Sequence, residues 1–157
     1  TDLSSLPGSG EIQSLSEYIV GNTLARTMIR NARMFTQTVP TEGNSVRWSS
    51  ASAWREITDL SSLPGSGEIQ SLSEYTLGNT LHRSLIRNGS MYYQALPVRN
   101  GAIVWTSARE WPQQKDMSTF PGDGTVQGMS EYQIGAQLIR TVIRNGKMYT
   151  QTIPIRQ

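Results

Sequence analysis

The sequence has no cysteine among its 157 residues, which excludes disulfide staples, cysteine-ligated zinc and thiol nucleophiles. It has one histidine, His82. A lone histidine without cysteines or repeated partners does not make a metal site, and it builds no Ser-His-Asp arrangement. Its default place is exposed or packed at an edge. Charged residues make up only 17% of the chain, and no run of Lys and Arg stands behind the net charge of +2. The electrostatic footprint of a nucleic-acid binder is therefore absent. No apolar run approaches the roughly 20 residues needed to span a bilayer, and the first residues do not follow a signal-peptide pattern. Nothing in the residue types implies a cofactor. Hydrophobic residues are also sparse, at 36%. That is lean for a self-sufficient globule and predicts that other chains complete the burial.

What is abundant is Ser, Thr, Asn, Gln and Gly, a polar, uncharged, β-type composition. Its organisation is repetitive. Thr1 to Tyr18, TDLSSLPGSGEIQSLSEY, recurs unchanged as Thr58 to Tyr75, and in diverged form as DMSTFPGDGTVQGMSEY, Asp116 to Tyr132. The offset is 57 residues each time. A fixed period is the signature of a repeat architecture. The repeats run over 1–57, 58–114 and 115–157. The third stops before any counterpart of the Trp48…Trp54 and Trp105…Trp111 segments. The chain starts at Thr1, without an initiator Met, and reads as a piece of something longer.

Each repeat opens with a Pro-Gly-x-Gly loop, as in Pro64-Gly65-Ser66-Gly67. It lacks the Lys-Ser/Thr ending of a phosphate loop. EIQSLSEY follows and reads as a short strand, then a glycine (Gly21, Gly78, Gly135). Asn88-Gly89 and Asn100-Gly101 sit between extended runs. Asn-Gly is the strongest short-range signal for a two-residue hairpin, because both central residues need positive φ. Leu81 to Trp111 is thus predicted to be a three-stranded antiparallel meander. Repeat 1 has Asn31-Ala32 in place of Asn-Gly, which predicts a distorted turn, since Ala at positive φ costs about 1 kcal/mol or more. Glu42-Gly43-Asn44 predicts a longer or shifted second turn. In Ser90–Leu96 neither face of the strand is clearly solvent, which fits a sheet covered by a neighbouring repeat or chain. The expected fold is all-β: three tandem repeats of short antiparallel meanders and hairpins, completed as an intertwined homotrimer.

Three sets of residues carry candidate chemistry. Glu17, Glu74 and Glu131 recur, each followed by Tyr. Paired carboxylates serve glycosidases, but a group copied in every repeat fits a structural ion pair better. Arg26, Arg83 and Arg140 recur with Arg30, Arg87 and Arg144 four residues on, one face of a strand. Two guanidiniums could grip phosphate or carboxylate groups, or pair with the recurrent glutamates. Trp48 with Trp54, and Trp105 with Trp111, share a face if their strand is unbroken. Such rings either pack a core or stack on sugars.

In MYYQALPVRNGAIVWTSAREW, the residues Tyr92, Gln94, Asn100, Gly101, Trp105 and Trp111 form a pattern of aromatic and Gln, tight turn, strand and closing Trp segment. Tyr149, Gln151, Phe35, Gln37, Trp48 and Trp54 match it in the other copies. This pattern resembles the knob repeats of contractile-phage tail fibres and R-type pyocin fibres, over roughly half of each repeat. The resemblance implies a homotrimeric, mostly β fibre that binds a bacterial cell-surface glycan or carries a tip that does. The expectation is a non-enzymatic structural and adhesion module, in an extracellular virion tail fibre, partnered by other fibre or baseplate proteins. Its candidate ligand-binding residues are Trp48, Trp54, Trp105, Trp111, Arg26, Arg83 and Arg140. Two rivals remain: a monomeric, pseudo-threefold, lectin-like carbohydrate-binding module, and a fragment of a polysaccharide depolymerase tailspike.

Overall fold

A computed structural model of the chain describes residues 5–107, 111–115 and 120–155. The first residues of the Thr1 and Asp116 copies, and part of the run between Trp105 and Trp111, lie outside the described residues.

The strands are set by two-residue turns. In repeat 1, β1 (Ile12–Val20), β2 (Thr23–Arg30) and β3 (Arg33–Glu42) form an antiparallel meander. The short strands β4 (Ser45–Val46) and β5 (Arg55–Ile57) both pair with β3. Repeat 2 follows the same plan with β6 (Ile69–Leu77), β7 (Thr80–Arg87), β8 (Ser90–Arg99), β9 (Ala102–Ile103) and β10 (Gln113–Gln114). Repeat 3 contributes β11 (Val126–Ile134), β12 (Gln137–Arg144) and β13 (Lys147–Pro154). The fold is all-β: two five-stranded sheets and one three-stranded sheet, every pairing antiparallel.

The meander is displaced from the predicted one. Its three long strands are β6, β7 and β8, because EIQSLSEY is a full strand and Gly78-Asn79 is itself a hairpin turn, with Leu77 opposite Thr80. The predicted last strand shrinks to β9, two residues long, and breaks into a single 3-10 turn at Trp105–Ser107.

The two departures in repeat 1 also resolve differently. Asn31 and Ala32 have φ of 49° and 59°, close to 46° and 74° at Asn88-Gly89. Ala is held in the same primed turn as its glycine counterparts. The flanking pairs impose that geometry, and the Ala32 amide donates to Gln13 Oε1 at 2.7 Å, as Gly89 does to Gln70. Each of these glutamines sits at a register shift in the first strand of its repeat. The second turn is not longer. Gly43-Asn44 closes Glu42 onto Ser45 just as Asn100-Gly101 closes Arg99 onto Ala102. Only its type changes, with positive φ at Gly43 alone in place of both Asn100 and Gly101.

The core lies between repeats. Ile29 and Met34 of repeat 1 pack with Leu63, Ile69, Leu72 and Leu85 of repeat 2. One period on, Ile86 and Met91 pack with Phe120, Val126, Met129 and Val142. A second cluster between repeats 1 and 2 joins Tyr18 to Leu81 and Leu96.

Neighbouring sheets meet edge on face. The Ser14 hydroxyl donates to the Leu72 carbonyl at 2.9 Å and accepts from the Leu72 amide at 3.3 Å. Ser16 does the same for Glu74, at 3.0 and 2.6 Å. One repeat on, Ser71 donates to the Met129 carbonyl and Ser73 accepts from the Glu131 amide. These are the outward-pointing backbone groups of β6 and β11, which a buried edge cannot leave unpaired. Ser16, Ser73 and Ser130 line one polar cleft of about 200 Å³ together with Glu17, Glu74 and Glu131. The three first strands therefore border one cleft, with β6 packed against both β1 and β11. Among the described residues no serine bond joins β11 back to β1, and Gly128 stands where Ser14 and Ser71 stand. Leu15 and Ile143, both about two-fifths exposed, face a cleft of about 230 Å³ at this third junction.

Candidate functional site

The seven candidate residues fall into two matching clusters and one remainder. The 3-10 turns at Trp48–Ser50 and Trp105–Ser107 break the strand that would have put each Trp pair on one face. The pairs converge all the same, because each closes on a single guanidinium. Arg26 lies 5.2 Å from the Trp48 ring and 5.0 Å from Trp54. Arg83 lies 5.4 Å from Trp105 and 4.7 Å from Trp111. Arginine over an indole face is the favoured cation–π pairing. Arg140 has no tryptophan and instead lies 5.3 Å from the Phe120 ring.

Each arginine is aimed by its neighbours across the sheet. Arg26 donates from Nε to Glu17 and from Nη1 to Gln37, both at 2.8 Å. Arg83 donates to Glu74 at 3.0 Å and to Gln94 at 3.1 Å. Arg140 spends both Nε and Nη2 on Glu131 Oε2. The recurrent glutamates are thus partners of the recurrent arginines. Gln37 and Gln94 complete the geometry and were not singled out as site residues from the sequence. The signal was present in the recurrence of Gln37, Gln94 and Gln151 in every third strand.

The second arginine set does other work. Arg30 reaches the Gly10, Leu6 and Pro7 carbonyls, and Arg87 reaches those of Gly67, Leu63 and Pro64. These side chains tie down the Pro-Gly-x-Gly loop. Gly65, at φ 74°, is held so close to Tyr92 that a Cβ there would sit 2.7 Å from the phenol oxygen.

The two clusters differ in surroundings. Arg83, Gln94, Trp105 and Trp111 share a cleft of about 210 Å³ with Met34, Ile57, Asp59, Leu60, Ser62 and Leu63. The cleft lies where the first two repeats meet. Trp105 leaves half its surface open, and so does Trp48 in the other cluster. Asp59 accepts from the Ser61 amide at 2.9 Å, and hydrogen bonding from Ser61 lowers its pKa below the usual carboxylate value. Flat apolar rings and an ionised carboxylate thus border one concave surface, over a guanidinium and a carboxamide that are buried and bonded to each other. Such a surface can stack on a sugar ring through Trp105, its half-open indole.

His82 is half-buried on β7, a central strand, between Tyr75 of β6 and Ala95 of β8, rather than exposed or at an edge as expected. It stacks on Tyr75 at 5.0 Å and hydrogen-bonds the Tyr93 hydroxyl. Burial lowers its pKa, against a smaller upward pull from Glu131. Burial likewise raises the pKa of Tyr18, assisted by the Glu74 charge and opposed by Arg83. Among the described residues, no group of three or more His, Asp or Glu is placed to hold a metal ion. No family model matches the chain, and no curated protein matches its sequence.

Proposed function

We propose that this chain is a structural and adhesion module of a bacteriophage or phage-derived tail fibre, engaging a bacterial surface glycan through its Trp–Arg–Trp stacks. The observation that carries the reading is the junction cleft, where half-open Trp105 stands beside Trp111, Arg83, Gln94 and Asp59. The resemblance to fibre knob repeats supplies the biological setting: a homotrimer, extracellular, attached to fibre or baseplate proteins. Glycan-array binding of the purified chain tests it. Trp105→Ala is expected to abolish the signal and Trp48→Ala to weaken it. Unchanged binding in both variants, or no binding to any bacterial surface glycan, overturns the adhesion role.

The single cleft shared by β1, β6 and β11 favours a second reading, a monomeric, pseudo-threefold, lectin-like module in which one chain supplies all three lobes. Light scattering separates the two. Three times the chain mass supports the trimeric fibre, and a single chain mass supports the monomeric module.

A further inference from the structure

The open indole of the junction cleft is a property of the repeat itself. Trp105 has repeat 1 before it and is 52% exposed, and Trp48 has repeat 2 after it and is 55% exposed. Neither neighbour covers the ring. The walls of the cleft come from the middle of the chain: Met34 and Ile57 from repeat 1, and Asp59, Leu63 and Trp105 from repeat 2.

The charged residues lining the cleft are Asp59 and Arg83, and they are in opposite situations. Arg83 is buried. It donates to Glu74 at 3.0 Å and to Gln94 at 3.1 Å, and its guanidinium lies 5.4 Å from the Trp105 ring and 4.7 Å from that of Trp111. Its charge is matched by a carboxylate buried with it. Asp59 is exposed, and among the described residues it takes part in no ion pair. Its bond is to the Ser61 amide, at 2.9 Å. Hydrogen bonding from Ser61 holds its pKa low, so the carboxylate stays ionised at mildly acidic pH. The described part of the cleft therefore offers a flat aromatic face and one uncompensated negative charge.

That pairing discriminates between sugars. A neutral ring stacks on the indole and leaves the carboxylate without a counter-charge. An acidic sugar brings a like charge up to it. A sugar with a protonated amine uses both groups: the ammonium bonds the carboxylate, and the ring stacks on an indole whose π face also attracts the cation.

We propose that the junction cleft selects a glycan bearing free, positively charged amino groups, with the amine held by Asp59 and the sugar ring by Trp105. This rests on the glycan-binding reading above and names the class of sugar.

The test is a titration of the whole chain, followed by tryptophan fluorescence, with three oligosaccharides of equal length: a glucosamine oligomer, its N-acetylated form and a galacturonate oligomer. The first two share a ring and differ in charge. At mildly acidic pH and low salt the glucosamine oligomer is expected to bind about tenfold or more tightly than the acetylated one, with the galacturonate weakest. Raising the salt is expected to narrow that preference. Asp59→Asn keeps an oxygen for the Ser61 amide, so the local turn survives, and it is expected to bring the first two oligomers to the same affinity. Trp105→Ala is expected to lose both. No binding of the glucosamine oligomer, equal binding of the first two, or a preference that survives Asp59→Asn overturns the amine assignment. Trp105-dependent binding to other bacterial surface glycans would then leave the adhesion role standing. Binding that Trp105→Ala leaves unchanged overturns this assignment by removing the ring contact on which it depends.

Discussion

Ile12–Val20 and Ile69–Leu77 start with the same seven residues, IQSLSEY, and fold into the same strand, yet they live in different solvents. Leu15 is 44% exposed and Leu72 is fully buried. The Glu17 side chain is 43% exposed in its bond to Arg26, whereas Glu74 is 2% exposed in its bond to Arg83. The difference is not in the strand but in what lies before it. β6 has β1 against its edge, and among the described residues β1 has no such neighbour. Local sequence sets the hairpin, and the preceding repeat sets the burial.

The sharpest way to break this comparison is at the glutamates. Glu74→Ala leaves Arg83 buried without its counter-charge, and is expected to cost about 3–5 kcal/mol. Glu17→Ala, at a half-exposed pair, is expected to cost about 0–1 kcal/mol. Urea unfolding of the two variants measures the gap, and equal losses would mean that β1 is covered as β6 is. The leucines come next. Leu72→Ala is expected to lose about 2–5 kcal/mol, as large-to-small changes in a packed core do. Leu15→Ala is expected to stay within about 1 kcal/mol, read from the same curves.

A smaller effect is expected at the hydroxyls. Ser16→Ala orphans the amide and carbonyl of Glu74 at a buried edge, a loss of about 1–3 kcal/mol. Ser130→Ala, at an exposed position with no such edge to cap, is expected to be nearly silent. Thermal melts of both variants decide whether the third junction is sealed in solution. The smallest effect is one of pH and belongs to repeat 2 alone, since His82 stands where Ala25 and Ile139 stand. Its folded pKa lies below the unfolded value of about 6.5. Its contribution is therefore intact above that value and lost as pH falls through the folded pKa. His82→Ala is expected to flatten stability between neutral and mildly acidic pH, and an unchanged slope would remove His82 as the cause.

The turns were the most legible part of the chain. Asn88-Gly89 and Asn145-Gly146 are hairpins because few other residues tolerate two consecutive positive φ values, and that constraint is local. Asn31-Ala32 was misleading because a propensity cost of about 1 kcal/mol is outweighed by the paired strands on either side. Gly78 was read only as a punctuation mark, since a turn with one positive φ leaves a weaker signature than Asn-Gly. The Arg–Glu pairing could be read from recurrence alone. Its completion by glutamine could not, because it depends on register across two hairpins: Arg83 stands opposite Glu74 on one side and Gln94 on the other. The Trp pair converged for a reason that spacing did not contain, a 3-10 turn that folds both rings onto one cation.

The serine caps have a direction. Ser14 and Ser16 belong to the repeat made first, and the edge they close, at Leu72 and Glu74, belongs to the repeat made second. Ser71 and Ser73 hand the same service on to Met129 and Glu131. During synthesis from the N-terminus, each new first strand emerges with its lid already laid down by its predecessor. A raw sheet edge, the feature through which incomplete β proteins stick to one another, is covered as soon as it is made. The fold therefore carries its own order of assembly, with each repeat acting as the template on which the next one closes.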